Sequence, residues 1–173
     1  PGSWLQVAGR RVGPKGLVVG IDLKPIEPNF RETNLRLIEG DLREADTATL
    51  LGDAARRFDV LLSDMAPYTT GEHFRDHHRS IRLCTAVLDR ASALLRPGGT
   101  VVMKVFEGEV YRDLLDRVKR MFDTAKGFKP KASRDTSTEM YIIGHGFRGE
   151  DTPEVRDAID QLPKRKPSTG WGS

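Results

Sequence analysis

Short apolar runs alternate with amphipathic stretches along the chain, and this alternation predicts strands and helices in turn. Near-continuous apolar runs are typical of buried parallel strands. Five are found, at Leu17–Asp22, Leu35–Gly40, Phe58–Asp64, Thr100–Phe106 and Glu139–Gly144. Apolar positions at helical spacing predict helices over Leu5–Arg11, Thr47–Arg56, Arg79–Leu95 and Val110–Phe122. This order indicates an α/β fold with a mostly parallel sheet that is covered by helices on both faces.

The two ends of the sequence differ from this alternating body. The first helix follows Pro1-Gly2-Ser3-Trp4 directly, and no strand is predicted before it. From residue 149 the chain becomes polar, with a short helix expected over 151–162 and a flexible basic tail over 164–173. The expected organisation is one folded domain over 1–148 and a polar C-terminal extension over 149–173.

Composition narrows the function classes only a little. Hydrophobic residues make up 38% and charged residues 31% of the chain, which is ordinary for a soluble globular protein. No apolar run approaches the roughly 20 residues of a membrane helix, and no signal peptide is visible. The one cysteine, Cys84, lies in an apolar helical pattern and is expected in the core. We therefore expect a cytoplasmic protein that does not bind a membrane.

Acidic side chains follow three of the predicted strands. In parallel sheets, ligands bind beyond the carboxyl ends of the strands, which is where Asp22, Asp41 and Asp64 are expected. Asp22 can accept hydrogen bonds from both hydroxyls of an adenosine ribose, and Asp41 can accept one from an adenine amino group. Roles in turns or helix caps remain open for both. A nicotinamide oxidoreductase would use similar acids, but the sequence does not contain the G-x-G-x-x-G fingerprint.

Lys104 is the most informative polar residue within a strand. It follows the apolar run Val101–Met103, where a lysine is costly unless it has a partner or extends its ammonium to solvent. If the strand that begins at Glu139 is antiparallel to the others, its start lies at the same edge of the sheet as their ends. Asp64, Lys104 and Glu139 then converge, although they are far apart in sequence.

Three motifs are specific enough to suggest a family. They are SDMAP at 63–67, MKVFEG at 103–108, and KPKASR at 129–134 followed by EMYI at 139–142. In this order and spacing they resemble the FtsJ/RrmJ family of RNA ribose 2′-O-methyltransferases, over about residues 1–147. The resemblance implies a Rossmann-like fold with an antiparallel last strand and S-adenosyl-L-methionine as cofactor. It further implies 2′-O-methylation of a ribose, that of a uridine, in large-subunit ribosomal RNA.

The resemblance also assigns roles to residues. Asp64, Lys104 and Glu139 match three members of a catalytic Lys-Asp-Lys-Glu tetrad, in which the aspartate also borders the cofactor. Lys104 would be the general base for the ribose hydroxyl or would orient it. Ser3 stands where the family usually has a second glycine, and the first strand and first tetrad lysine are expected to precede Pro1. The matched cofactor-binding residues are Gly2, Trp4, Asp22, Asp41 and Asp64.

Basic residues indicate where RNA would bind, and solvated surface is the alternative for each of them. The expected phosphate contacts are Arg75, Arg79, Lys129, Lys131 and Arg134. Aromatic residues are few, so recognition of folded RNA by shape is favoured over base stacking. We expect a monomer that binds ribosomal RNA, within the large ribosomal subunit, and holds no metal. A non-catalytic RNA-binding remnant of the same fold is the open alternative.

Overall fold

The structure, a computed structural model, describes residues 2–26, 33–52, 56–130 and 137–149. Lys131 and Arg134, like the expected helix over 151–162 and the tail over 164–173, lie outside the described residues. None of the helices in the described ranges has the length and apolar character needed to cross a membrane.

Strands and helices alternate as the hydrophobic pattern predicts. The helices are α1 (Ser3–Val12), α2 (Thr47–Leu51), α3 (His73–Leu94) and α4 (Tyr111–Met121). The strands are β1 (Val18–Asp22), β2 (Leu35–Glu39), β3 (Phe58–Ser63), β4 (Leu95–Phe106), β5 (Phe122–Phe128) and β6 (Glu139–Phe147). The fold is therefore α/β, as expected.

The strands form two sheets. In one, β1 pairs in parallel with β2; in the other, the strand order is β3-β4-β6-β5. Strand β4 is parallel to β3, and β6 is antiparallel to both β4 and β5. The last strand is therefore antiparallel, as predicted. Within the described residues no backbone pairing joins β1 to β3, so the two sheets are not hydrogen-bonded to each other there.

The hydrophobic core lies on one face of the four-stranded sheet, under α3 and α4. Alternate residues of β4 point into it, and Val101, Met103 and Val105 are completely buried there. Cys84 of α3 is also buried, as predicted, and burial raises the pKa of its thiol to about 12. Lys104 lies between two of these inward positions and therefore points to the opposite face.

Among the differences from the sequence prediction, three boundaries and one missed strand have local physical reasons. Helix α3 begins six residues before Arg79, because the Asp76 carboxylate accepts backbone N–H groups of the preceding loop. Helix α2 ends at Leu51, because Gly52 takes a positive φ of 60° that stops a helix. Strand β4 begins at Leu95, because its irregular first residues still pair with β3. Strand β5 was missed, because it is an edge strand with few β-branched residues.

Helix α1 runs antiparallel to β1 and β2. The side-chain amide of Asn34, just before β2, donates to the carbonyls of Gly9 and Gly13 at 3.0 and 2.9 Å. The C-terminal end of α1 therefore lies at the amino ends of these strands. Its first turn, which follows Gly2, lies toward their carboxyl ends, where Asp22 is found.

Candidate active site

Lys104 is held between two carboxylates at the carboxyl edge of the four-stranded sheet. Its Nζ lies 2.8 Å from Asp64 Oδ1 and 3.6 Å from Glu139 Oε1. The lysine side chain is only 11% exposed, whereas the carboxylates are 46% and 43% exposed. The convergence of these three residues, which was inferred from the ends of strands, is present in the structure.

Strand register explains why these side chains meet. Ser63 is opposite Met103, so that Asp64 leaves β3 beside Lys104. Proline at position 67 stops the strand soon afterwards. Across the antiparallel pair, Lys104 is opposite Tyr141, and Glu139 lies two residues earlier on the same face of β6. The lysine is therefore flanked by an acid from each neighbouring strand.

The electrostatic environment keeps Lys104 charged. Burial lowers the pKa of this lysine, but the hydrogen bond to Asp64 and the charges of Asp64 and Glu139 outweigh burial and raise the pKa above its ordinary value. Tyr141 stays neutral, because burial and the charge of Asp64 raise the pKa of its phenol. The site thus presents an ammonium group that two carboxylates orient and one neutral phenol borders.

A second group of polar residues lies at the ends of β1 and β2. The backbone N–H of Gly40 donates to the Asp22 carbonyl at 2.8 Å, which brings Asp22 and Asp41 to one edge. Asp22 Oδ1 accepts the Lys24 N–H at 2.9 Å, and Oδ2 makes no hydrogen bond within the described residues. Gly2, in the left-handed region at φ 93°, precedes the free N–H groups of α1. The Asp22 carboxylate can therefore accept hydrogen bonds from hydroxyl groups, and the N–H groups at the start of α1 can donate hydrogen bonds to an anion.

Asp41 is engaged by a neighbour. Its carboxylate accepts the backbone N–H of Arg43 at 2.9 Å and forms an ion pair with the guanidinium of the same residue. These hydrogen bonds lower the pKa of Asp41 to about 2. The turn role that the sequence left open is thus present, and an adenine contact from Asp41 stays a prediction.

An aromatic contact joins the two edges. The Trp4 ring, in the first turn of α1, stacks on Tyr141 with ring centroids 5.9 Å apart. Tyr141 in turn pairs with Lys104 across β4 and β6. The start of α1 and the ammonium group of Lys104 therefore face a common region.

Comparison with known proteins identifies the family to which this chain belongs. Residues 1–147 match the sequence profile of the family described as FtsJ-like methyltransferase. The chain belongs to this family. It is 46% identical over 148 residues to ribosomal RNA large subunit methyltransferase E of Syntrophobacter fumaroxidans. The aligned region covers 86% of this chain and 75% of that relative. It is 43% identical to the protein of that name from Halobacterium salinarum, with 93% of this chain and 65% of the relative covered.

Two solved structures have a fold similar to that of this chain. A Plasmodium falciparum protein described as a ribosomal RNA methyltransferase superposes with a TM-score of 0.72 and 27% identity, over 87% of this chain and 83% of that protein. Human methyltransferase-like protein 13 has a TM-score of 0.56 at 17% identity, over 99% and 81% of the two chains, and shows the fold alone. This chain spans about 55% to 75% of the length of the curated relatives it matches.

A buried histidine packs against the turn that follows β4, near the edge of the sheet where Lys104 lies, and it was not predicted from the sequence. His77 Nδ1 lies 2.8 Å from the Phe106 carbonyl oxygen, and Nε2 lies 3.2 Å from the Val110 nitrogen. Only a neutral ring protonated at Nδ1 makes both bonds, donating to the carbonyl and accepting the N–H. A Cβ at Gly108 would overlap the ring. The glycine of the MKVFEG motif is therefore the signal that a ring lies against this turn.

Beside this turn, a cleft of about 340 Å³ opens next to Glu139. Asp76, the other residue that sequence reasoning missed, closes one wall by accepting the Thr70 N–H at 2.9 Å and its hydroxyl at 3.0 Å. Side chains and backbone from three loops form the lining: Thr69, Gly71, His73, Glu107, Thr138 and Glu139. The cleft lies where a second substrate could approach Lys104.

The predicted phosphate-binding residues differ in whether they already have a partner within the protein. Lys129 is exposed directly after β5, at the same edge of the sheet as Lys104. Arg75 forms an ion pair with Glu72 at 2.9 Å, and Arg79 donates to the Tyr68 carbonyl at 3.3 Å. Arg79 therefore ties α3 to the loop after Asp64, whereas the Arg75–Glu72 ion pair is exposed at the start of α3. An RNA contact from any of these residues stays a prediction.

Proposed function

We propose that this chain catalyses the S-adenosyl-L-methionine-dependent methylation of a ribose 2′-hydroxyl, that of a uridine, in large-subunit ribosomal RNA. The observation that carries the proposal is the buried Lys104 ammonium, fixed between Asp64 and Glu139 at the carboxyl edge of the sheet. Both carboxylates are nearly half exposed, so a substrate that reaches this edge of the sheet meets the acids that hold the lysine.

The residues at the ends of β1 and β2 fit the cofactor. Asp22 offers the ribose hydroxyls a carboxylate oxygen that no described residue engages, and the N–H groups that follow Gly2 can hold the methionine carboxylate. Asp41 would reach the adenine, and Trp4 and Asp64 would border the methionine portion. When bound, the cofactor supplies an electrophilic methyl group on a sulfonium centre.

Lys104, in its charged form, orients the hydroxyl and stabilises negative charge on its oxygen. Alignment of the two reacting groups can contribute on the order of 7–11 kcal/mol in ideal cases, and preorganised charge adds to it. Asp64 and Glu139 fix the ammonium, and because both are nearly half exposed, the hydroxyl proton can pass to a carboxylate and on to water. General-base catalysis by a neutral Lys104 is not favoured by its raised pKa.

The substrate follows from the relatives and from charge. The curated relatives are named for the large-subunit ribosomal RNA they modify. In this chain, Lys126 near the end of β5 and Lys129 directly after it are exposed, and they would hold phosphates beside Lys104.

The test is a methyl-transfer assay with labelled S-adenosyl-L-methionine and two substrates, large ribosomal subunits and their purified RNA. We expect label in RNA and, at one position, a phosphodiester bond that resists alkali, because the 2′-oxygen is blocked. Label on a base, or transfer to small-subunit RNA alone, would contradict the proposal.

A further inference from the structure

Three side chains form a row across the sheet at the catalytic edge. Lys104 of β4 is opposite Tyr141 of β6, and Tyr141 is opposite Phe128 of β5. Directly paired residues project from the same face of a sheet. Neighbouring strands are spaced by about 4.8 Å, so Phe128 lies roughly 10 Å from Lys104.

Phe128 is an exposed aromatic residue that is held in one place. It is 38% exposed, whereas Phe122 at the other end of β5 is fully buried. Its ring stacks on Tyr141 with centroids 5.6 Å apart and planes 28° apart. A ring that is fixed on one neighbour and open to solvent is already ordered for a second aromatic partner.

The end of β5 is fixed from its other face. A Cβ at Gly127 would overlap the Tyr111 hydroxyl, so that α4 covers the strand closely there. Gly127 is opposite Ile142, which is completely buried. Because Gly127 faces the core, Phe128 must face the side of Lys104.

Lysines precede and follow Phe128 along the chain. Lys126 is two residues earlier on the same face of β5, and Lys129 follows the strand; both are exposed. An exposed aromatic ring between lysines matches a chain that alternates flat bases with phosphates. The distance of about 10 Å from Lys104 corresponds to roughly one to three nucleotides along a strand.

We propose that Phe128 is a stacking platform for a base that neighbours the target ribose. This inference rests on the proposed function and adds base stacking to a substrate contact for which the sequence indicated only shape and phosphates. By stacking on this base, Phe128 would hold the RNA strand beside the site and keep the target ribose next to Lys104.

The first experiment compares RNA binding and turnover of Phe128→Ala and Phe128→Leu with wild type. We expect KM for RNA to rise by about 5- to 150-fold in both variants, because stacking of one base is lost, with kcat and cofactor affinity unchanged. Phe128→Trp should retain wild-type KM, because it keeps an aromatic face. Thr124→Ala, on the same exposed face of β5, is the matched control.

The second experiment uses RNAs in which single nucleotides beside the methylated one are abasic. One abasic RNA should raise KM for wild type but leave no further loss in Phe128→Leu, because the stacked base is already missing. Equal KM values for Phe128→Leu and wild type on intact RNA would overturn the proposal. So would a result in which the effects of the substitution and of the missing base on KM are additive for every abasic RNA. If wild type methylates no RNA, the proposed function fails by itself, and its RNA affinity still reports on Phe128.

Discussion

The two sheets of this methyltransferase differ in how firmly they are packed. The cluster of buried apolar residues lies in the four-stranded sheet and in α3 and α4, where eight positions of α3 are buried. In the β1–β2 sheet, Gly20 is the one strand residue that is buried among those described. Lys104, the proposed catalytic lysine, thus stands on a well-packed sheet, whereas the proposed cofactor residues stand on a lightly packed pair of strands.

This difference indicates a division of tasks. The hydroxyl must be placed to within a fraction of an ångström, which requires the better-packed sheet. Cofactor binding and release require less precision and benefit from a part that can open. The described links between the two halves are local, among them the Trp4–Tyr141 stack, the packing of Leu42 on the core and a hydrogen bond from Arg90 to the Ala45 carbonyl.

Loss of Lys104 should give the largest effect and should separate the two tasks. In Lys104→Met we expect kcat for methyl transfer to fall by about 10²- to 10⁴-fold, because the oriented ammonium is gone. Affinity for S-adenosyl-L-methionine, measured by calorimetry, should stay within about twofold of wild type. Near-normal turnover would remove Lys104 from the mechanism.

The pH profile distinguishes the two possible roles of Lys104. A charged lysine with a raised pKa predicts that log kcat is flat from about pH 7 to 9, because its ammonium form persists there. A neutral lysine acting as base would give a tenfold rise per pH unit over the same range. Stopped assays on wild type, with binding saturated, decide between them.

Truncation of one leucine in each sheet should reveal the packing difference. Leu88→Ala, in the core under the four-stranded sheet, should lower the free energy of unfolding by about 2–5 kcal/mol. Leu37→Ala, at a half-buried position of β2, should cost about 1 kcal/mol. Urea unfolding followed by two probes measures both, and equal losses would show that the two sheets are equally well packed.

Asp22 should affect the cofactor alone. We expect Asp22→Ala to weaken S-adenosyl-L-methionine binding by about 10- to 100-fold, because a charged acceptor for the ribose hydroxyls is lost. Glu39→Ala is the matched control, because Glu39 is exposed and directly opposite Asp22 at the same strand ends. If both variants bind equally well, the ribose lies elsewhere.

Lys129 should give the smallest of these effects, seen in the salt dependence of RNA binding. Lys129→Ala should reduce the log–log slope by about 0.7 to 0.9, which corresponds to one phosphate, and should leave cofactor affinity unchanged. Lys15→Ala, an exposed lysine near the amino ends of the strands, is the control. Parallel lines for Lys129→Ala and wild type would assign Lys129 to solvated surface.

The sequence was most informative where chemistry and strand ends coincide. Lys104 was recognised because a lysine in an apolar strand is costly to bury without a partner, and because the ends of parallel strands share one edge. His77 was not recognised as buried, because its burial depends on the carbonyl of Phe106 and the backbone of Gly108, which only the fold brings together. The Phe122–Phe128 strand contains lysine and two weak strand formers, alanine and glycine, and forms because β6 offers it a partner.

The Trp4–Tyr141 stack gives the molecule a built-in optical reporter. Trp4 is one of two tryptophans, and the other, Trp171, lies outside the described residues. Replacing Trp171 with phenylalanine would leave a single indole at the seam between the lightly packed and the rigid half. Its emission would then follow the separation of the two halves in real time, without a dye, while substrates enter and products leave.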